Sequence, residues 1–150
     1  VHARTFPEVP SEWRDDALAA RWAKIRAVRR VVTGALEIER KNKVIGSSLE
    51  AAPIVAITDP ELAKAVETHD LAELCIVSAI STQLHAFSSQ QFFSLDEVPG
   101  VQVAFARAEG TRCARSWKVS PEVGSDPEYP DLTPRDAQAM RERAAAGLSV

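Results

Sequence analysis

The sequence predicts an α+β chain in three parts: an N-terminal helical segment, a small mixed α/β unit, and a short zinc-knuckle-like loop lacking its metal. Three observations lead there. Residues 21–43 repeat apolar side chains at helical spacing, residues 47–110 alternate strand-like and helix-like runs between turn signals, and residues 111–136 crowd prolines and a glycine around one cysteine and one tryptophan. A length of 150 residues, with 45% hydrophobic and 26% charged, is enough to bury a core and excludes a wholly disordered chain. Composition shifts put the boundaries at 1–46, 47–110 and 111–150.

In chain order, "PEVPSEWRDDALAARW" opens on two prolines, and Ser11 is placed to cap a first helical stretch starting near Glu12 and leading into a basic helix. In "RWAKIRAVRRVVTGALEIERKNK", Trp22, Ile25, Val28, Val32, Ala35 and Leu36 share one helical face, while Arg26, Arg30, Glu37 and Lys41 gather on another. Gly34 weakens this helix by about 1 kcal/mol relative to Ala, and Gly46 with Ser47 and Ser48 is expected to end it. "LEAAPIVAIT" reads as a strand in which Pro53, unable to donate to a ladder, suggests an edge or a bulge. "DPELAKAVETH" is a short helix with Asp59 as cap and Pro60 in its first turn. "DLAELCIVSAISTQL" passes from a helical turn into a buried strand, and "VQVAFARAE" alternates as a further strand.

The net charge of −3 conceals an asymmetry: residues 1–20 carry −2, 21–43 carry +6, 44–110 carry −7 and 111–150 are neutral. A basic helical face has two readings, a solvated surface or a set of phosphate contacts made through counterion release. No apolar run reaches the ~18 residues of a membrane span, and no signal-peptide pattern opens the chain. The expectation is a cytoplasmic protein with no membrane partner. A start at Val1 without Met suggests a piece of something larger.

Catalytic signatures are missing from the sequence. There is no G-x-S-x-G elbow, no phosphate-binding G-x-x-x-x-G-K-[ST] loop and no G-x-G-x-x-G. His2, His69 and His85 stand alone at a terminus or at element ends, where capping and surface roles are the ordinary ones and catalysis lacks partners. Cys75 lies in the apolar run "LCIVSAI" and reads as a small buried hydrophobe. Cys113 lies among Arg112, Arg115 and Ser116, a setting that lowers a thiol pKa, though no His partner accompanies it. Two such cysteines do not form a disulfide framework.

The residues also carry a family resemblance. "EWRDDALAARWAKIRAVRRVVTGALEIERKNKVIGSSLEA" resembles the end of the anticodon-binding helical domain of the bacterial isoleucyl-tRNA synthetase family through Trp22, Ile25, Val28, Arg29, Ala35, Leu36, Glu37, Arg40, Lys43, Ile45, Gly46, Ser48, Leu49, Glu50 and Ala51. "VAFARAEGTRCARSWKVSPEVGSDPEYPDLTPRD" resembles that family's C-terminal module, where a Cys-x-Arg-Cys-Trp stretch and a later Leu-Cys-x-Arg-Cys stretch supply four zinc ligands. The combination spans residues 6–136 and is more specific than either half.

The resemblance implies a tRNA-binding C-terminal part of the synthetase, contributing anticodon-side recognition while ATP, Mg and the chemistry of isoleucine attachment belong to upstream domains of the same chain. It implies isoleucine tRNA and those upstream domains as partners, in a monomer. Arg26, Arg30, Lys41 and Lys43 are then candidate phosphate contacts, and Arg112, Arg115, Trp117 and Lys118 a second candidate surface, with Trp117 expected to pack the loop and base stacking as its other role. The four ligand positions fall on Cys113, Ser116, Thr133 and Asp136. Three of the four are changed, and neutral hydroxyls replace thiolate poorly, so zinc is expected to be absent and no cofactor is expected in this segment. Trp117, Tyr129 and four prolines are the expected substitutes as loop anchors. A protein-docking module with no nucleic-acid contact is the competing reading, separable by the salt dependence of RNA binding.

Overall fold

The structure, a computed structural model, describes residues 5–88 and 91–147. It is mixed α/β, with four α-helices and two small sheets among the described residues. His2 lies outside the described residues, as does the end of the C-terminal tail.

Helix α1 (Asp16–Lys41) is the longest element. It starts later than the proline punctuation suggests, because residues 11–13 form a separate 3-10 turn in which Ser11 makes no side-chain cap. Asp15 caps the helix instead, its carboxylate accepting from the Leu18 amide at 2.8 Å. The helix also stops before Gly46. Lys43 adopts a left-handed φ of 59°, and the amides of Lys43 and Val44 bond back to the carbonyls of Arg40 and Glu39. That pair of bonds is a Schellman ending, with lysine where glycine is usual. The buried face comprises Ile25, Val28, Val31, Val32, Ala35 and Leu36. Val31 widens the predicted stripe because α1 packs against two further helices and a strand at once.

After a capping box at Ser47 and Glu50 comes β1 (Ile54–Ile57), then α2 (Pro60–Val66), α3 (Leu71–Cys75), β2 (Ser81–Gln83) and β3 (Val101–Ala104). The sheet order is β2-β1-β3, parallel on one side and antiparallel on the other. Strand β1 is therefore central, contrary to the edge position that Pro53 suggested. Pro53 sits just before the strand, where its missing N–H costs no ladder bond, and its carbonyl accepts from the Ser81 amide at 3.2 Å. β2, expected to be buried, is a largely exposed edge. The apolar residues ahead of it are spent on α3 and on Val77, which is fully buried.

Asp59 caps α2 as its sequence context predicts, accepting from the Glu61 and Leu62 amides. Gly34 has a packing reason: a Cβ there would come within 2.8 Å of the Phe93 ring, so the glycine admits that ring against α1. One core joins α1, β1, β3, α2 and α3. A smaller cluster of Cys113, Leu132 and Ala137, with Val123, Tyr129 and Met140 around it, serves the C-terminal module. That module consists of β4 (Thr111–Arg112), β5 (Val119–Ser120) and α4 (Pro134–Ala145).

Candidate nucleic-acid interface

The +6 block separates into two populations once folded. Arg21, Lys24 and Arg29 flank the buried face of α1 and turn inward: Arg21 bonds Thr68, Lys24 pairs with Glu61 at 2.7 Å, and Arg29 Nε donates to the Leu74 carbonyl at 2.7 Å. Arg40 pairs with Glu37 on the helix surface. Arg26, Arg30, Lys41 and Lys43 are exposed, and among the described residues their side chains make no hydrogen bond or ion pair. The helical period explains the division. Arg26, Arg30 and Lys41 project opposite the core stripe, beyond reach of α2 and α3.

The second candidate surface is arranged differently from its expectation. Trp117 is 61% exposed and lies at a left-handed φ of 64°, so it does not pack the loop. Its amide donates to the Cys113 carbonyl at 3.0 Å, closing a tight turn that pushes the indole outward, and the Arg112 guanidinium lies 5.8 Å from the ring centroid. Tyr129 does take the anchoring role, partly buried on the small cluster with Arg141 over its face at 5.4 Å. Lys118 is held by Glu73 at 2.6 Å, and Arg135 reaches the same carboxylate at 3.0 Å. Those cations hold Glu73 below its ordinary pKa, the Lys118 hydrogen bond first. Together with the Val119 amide donating to Ser78 Oγ at 2.7 Å, they dock the module onto α3 and the loop after it.

The four family ligand positions converge. Cys113 is fully buried at the end of β4, Ser116 lies in the turn, Thr133 caps α4, and Asp136 sits in its first turn. Asp136 Oδ2 accepts from Cys113 Sγ at 3.2 Å, Ser116 Oγ at 2.6 Å and Thr133 Oγ1 at 2.8 Å, and Oδ1 accepts from Arg115 Nη1 at 2.8 Å. Burial pushes the Asp136 carboxyl up, but the hydrogen bonds from Ser116, Thr133, Arg115 and Cys113 outweigh it and hold the group well below the usual carboxylate range. This donor set does not fit zinc. It holds one thiol, and the only carboxylate is already engaged by the other three positions. Among the described residues no group of three or more His, Cys, Asp or Glu side chains is placed to hold a metal ion.

The family resemblance singled out these four positions, and the charge pattern Arg115, but nothing in the sequence signalled the role of Glu73, 45 and 62 residues from the cations it holds, or of Ser78, 41 residues from the amide it accepts from. His69 packs edge-on against Trp22 at 5.4 Å, with Arg21 and Thr68 at its Nδ1. No helix among the described residues is long and apolar enough to cross a membrane.

No protein-family model matches the chain. Curated proteins do, among them isoleucine-tRNA ligases of several bacteria. Isoleucine-tRNA ligase of Agrobacterium fabrum is 56% identical over 145 residues, 97% of this chain and 15% of that protein. The enzyme of Brucella abortus biovar 1 is 54% identical over 98% of this chain, and that of Bradyrhizobium diazoefficiens is 53% identical over all 150 residues of this chain, each match covering 15% of the relative. The chain thus belongs to the isoleucyl-tRNA synthetase family, and it spans about 15% of the length of the relatives it matches.

Proposed function

We propose that this chain is the tRNA-binding C-terminal part of an isoleucyl-tRNA synthetase, contributing recognition on the anticodon side and no catalysis of its own. Activation of isoleucine with ATP and Mg belongs to the rest of the longer protein, which works as a cytoplasmic monomer and meets this segment as an intramolecular partner. The observation that carries the reading is a set of exposed cations on the outward face of α1 and just past its end: among the described residues Arg26, Arg30, Lys41 and Lys43 make no side-chain hydrogen bond or ion pair, while their neighbours do. Exposed cations of this kind suit a phosphate backbone. The exposed Trp117, backed by Arg112, supports stacking on an unpaired base rather than the packing role first expected. We further propose that the segment carries no zinc, on the donor chemistry of Cys113, Ser116, Thr133 and Asp136.

A docking role toward the upstream part of the same protein is favoured by one further observation. Phe6 and Trp13, in the N-terminal arm, are 100% and 74% exposed.

Titration with isoleucine tRNA over a range of salt concentrations tests the reading. Wild type should bind saturably and lose affinity steeply with salt. Substituting both Arg26 and Arg30 by Ala should flatten the log–log salt slope by about 1.5, near 0.7–0.9 for each lost phosphate contact. Unchanged slope and affinity would exclude α1 from the interface.

A further inference from the structure

The C-terminal module has a centre, and it is an anion. Two of the three hydrogen bonds to Asp136 Oδ2 come from residues 20 and 23 positions away in sequence, Ser116 and Cys113, and the third from Thr133. One atom therefore joins the end of β4, the turn that follows and the start of α4. With Arg115 on Oδ1 the carboxylate accepts four side-chain hydrogen bonds, three of them shared on Oδ2. The side chain is only 8% exposed, a placement a carboxylate tolerates only when paired and fully hydrogen-bonded. The apolar cluster around it has three buried members, too few to hold a module of this size without a staple.

We propose that the Asp136 carboxylate is the structural centre of this module, replacing a metal ion with reversed polarity: three protic side chains converge on an anion where four thiolates would converge on a cation. The proposal rests on the zinc-free reading above. Each hydroxyl at a former ligand position is then a matched donor and not a degraded ligand. Arg115, fixed by Oδ1, neutralises the centre from its solvent side and sets the turn between Cys113 and Trp117. Asp136 is thus a positioning residue for the exposed indole.

The test uses the full-length chain that contains these residues, with metal content and amide hydrogen exchange read on peptides covering 111–137. Wild type grown with zinc should carry none in this module. Asp136→Asn presents an NH₂ to donors or to Arg115 whichever way it turns, and should lower protection of the Cys113, Ala114, Trp117 and Ala137 amides by about tenfold or more, leaving α1 and β1 unchanged. Changing Ser116, Thr133 and Asp136 together to Cys, with native Cys113, should create a site taking one zinc per chain, and the metal should restore the lost protection. If Asp136→Asn does not fold, Ser116→Ala and Thr133→Ala each remove one donor and should each give a smaller local loss. Stoichiometric zinc in wild type would overturn the zinc-free reading and the proposal together. A zinc-free wild type whose protection survives Asp136→Asn, or survives both alanine variants, would overturn the proposal alone. A folded triple-cysteine variant that takes no zinc would overturn the claim that the four positions retain metal-site geometry.

Discussion

Gly34 shows how one residue reverses its meaning between sequence and structure. Helix propensity alone predicts that Gly34→Ala stabilises by about 1 kcal/mol. The added methyl would meet the Phe93 ring at 2.8 Å, so the substitution is expected to destabilise by about 1 kcal/mol or more, as overpacking does. A urea titration of both forms decides the sign. The two cysteines differ by environment in the same way. Burial pushes the Cys75 thiol up to about 11, with Arg29 working against it, so Cys75 should stay unmodified by iodoacetamide at pH 8 in the folded protein and react only after unfolding. Rapid native-state alkylation of Cys75 would show that α3 opens readily.

At the scale of elements, short helices here depend on side-chain clamps more than on length. α4 is held to the loop before it by Arg141, whose Nη2 reaches both oxygens of Asp126 at 2.9 and 2.8 Å and whose Nε reaches Glu128 at 3.0 Å. The Arg141 hydrogen bond is the main reason the Asp126 carboxyl sits below its ordinary pKa; burial opposes it, and backbone amides of Tyr129 and Glu128 add to the lowering. With the folded pKa depressed, the unfolded state binds the proton first as acid is added. The clamp's contribution is complete above the ordinary carboxylate pKa of about 4 and fades as pH falls below it. Protection of α4 amides should therefore drop faster than that of α1 as pH falls below about 4. Arg141→Met should reduce the difference, the Asp136 carboxylate in the first turn of α4 supplying the remainder, and an unchanged pH dependence in that variant would show that the clamp carries no weight.

Over the whole molecule, charge is sorted by what the fold needs. Cations flanking the core face of α1 are used to fasten α2 and α3, Glu73 gathers Lys118 and Arg135 to fasten the C-terminal module, and Arg107 ties the segment after β3 to Glu50 and the Val44 carbonyl. On the opposite face of α1, Arg26, Arg30 and Lys41 make no hydrogen bond or ion pair among the described residues. This sorting gives the −7 region a structural use as the acceptor of internal cations. It also narrows the proposed nucleic-acid surface from eight candidates to those not already committed: Arg115 and Lys118 position the module, whereas Arg26, Arg30, Lys41, Lys43, Arg112 and Trp117 face outward.

The four positions of the C-terminal module came from the family resemblance; local pattern was enough to find the basic helix, its core stripe, the Asp59 cap and the alternating β3, because periodicity and capping chemistry are written within a few residues of one another. It misplaced Pro53, overvalued Ser11 and Gly46 as boundaries, and assigned Trp117 to the interior. Whether a strand is central or at an edge, whether a glycine admits a ring from 59 residues away, and which way an indole faces depend on partners that only the folded chain brings near. The role proposed for Asp136 belongs to the same kind: the family resemblance marks the four positions, and only the folded chain brings Cys113, Ser116, Thr133 and Arg115 together on one carboxylate.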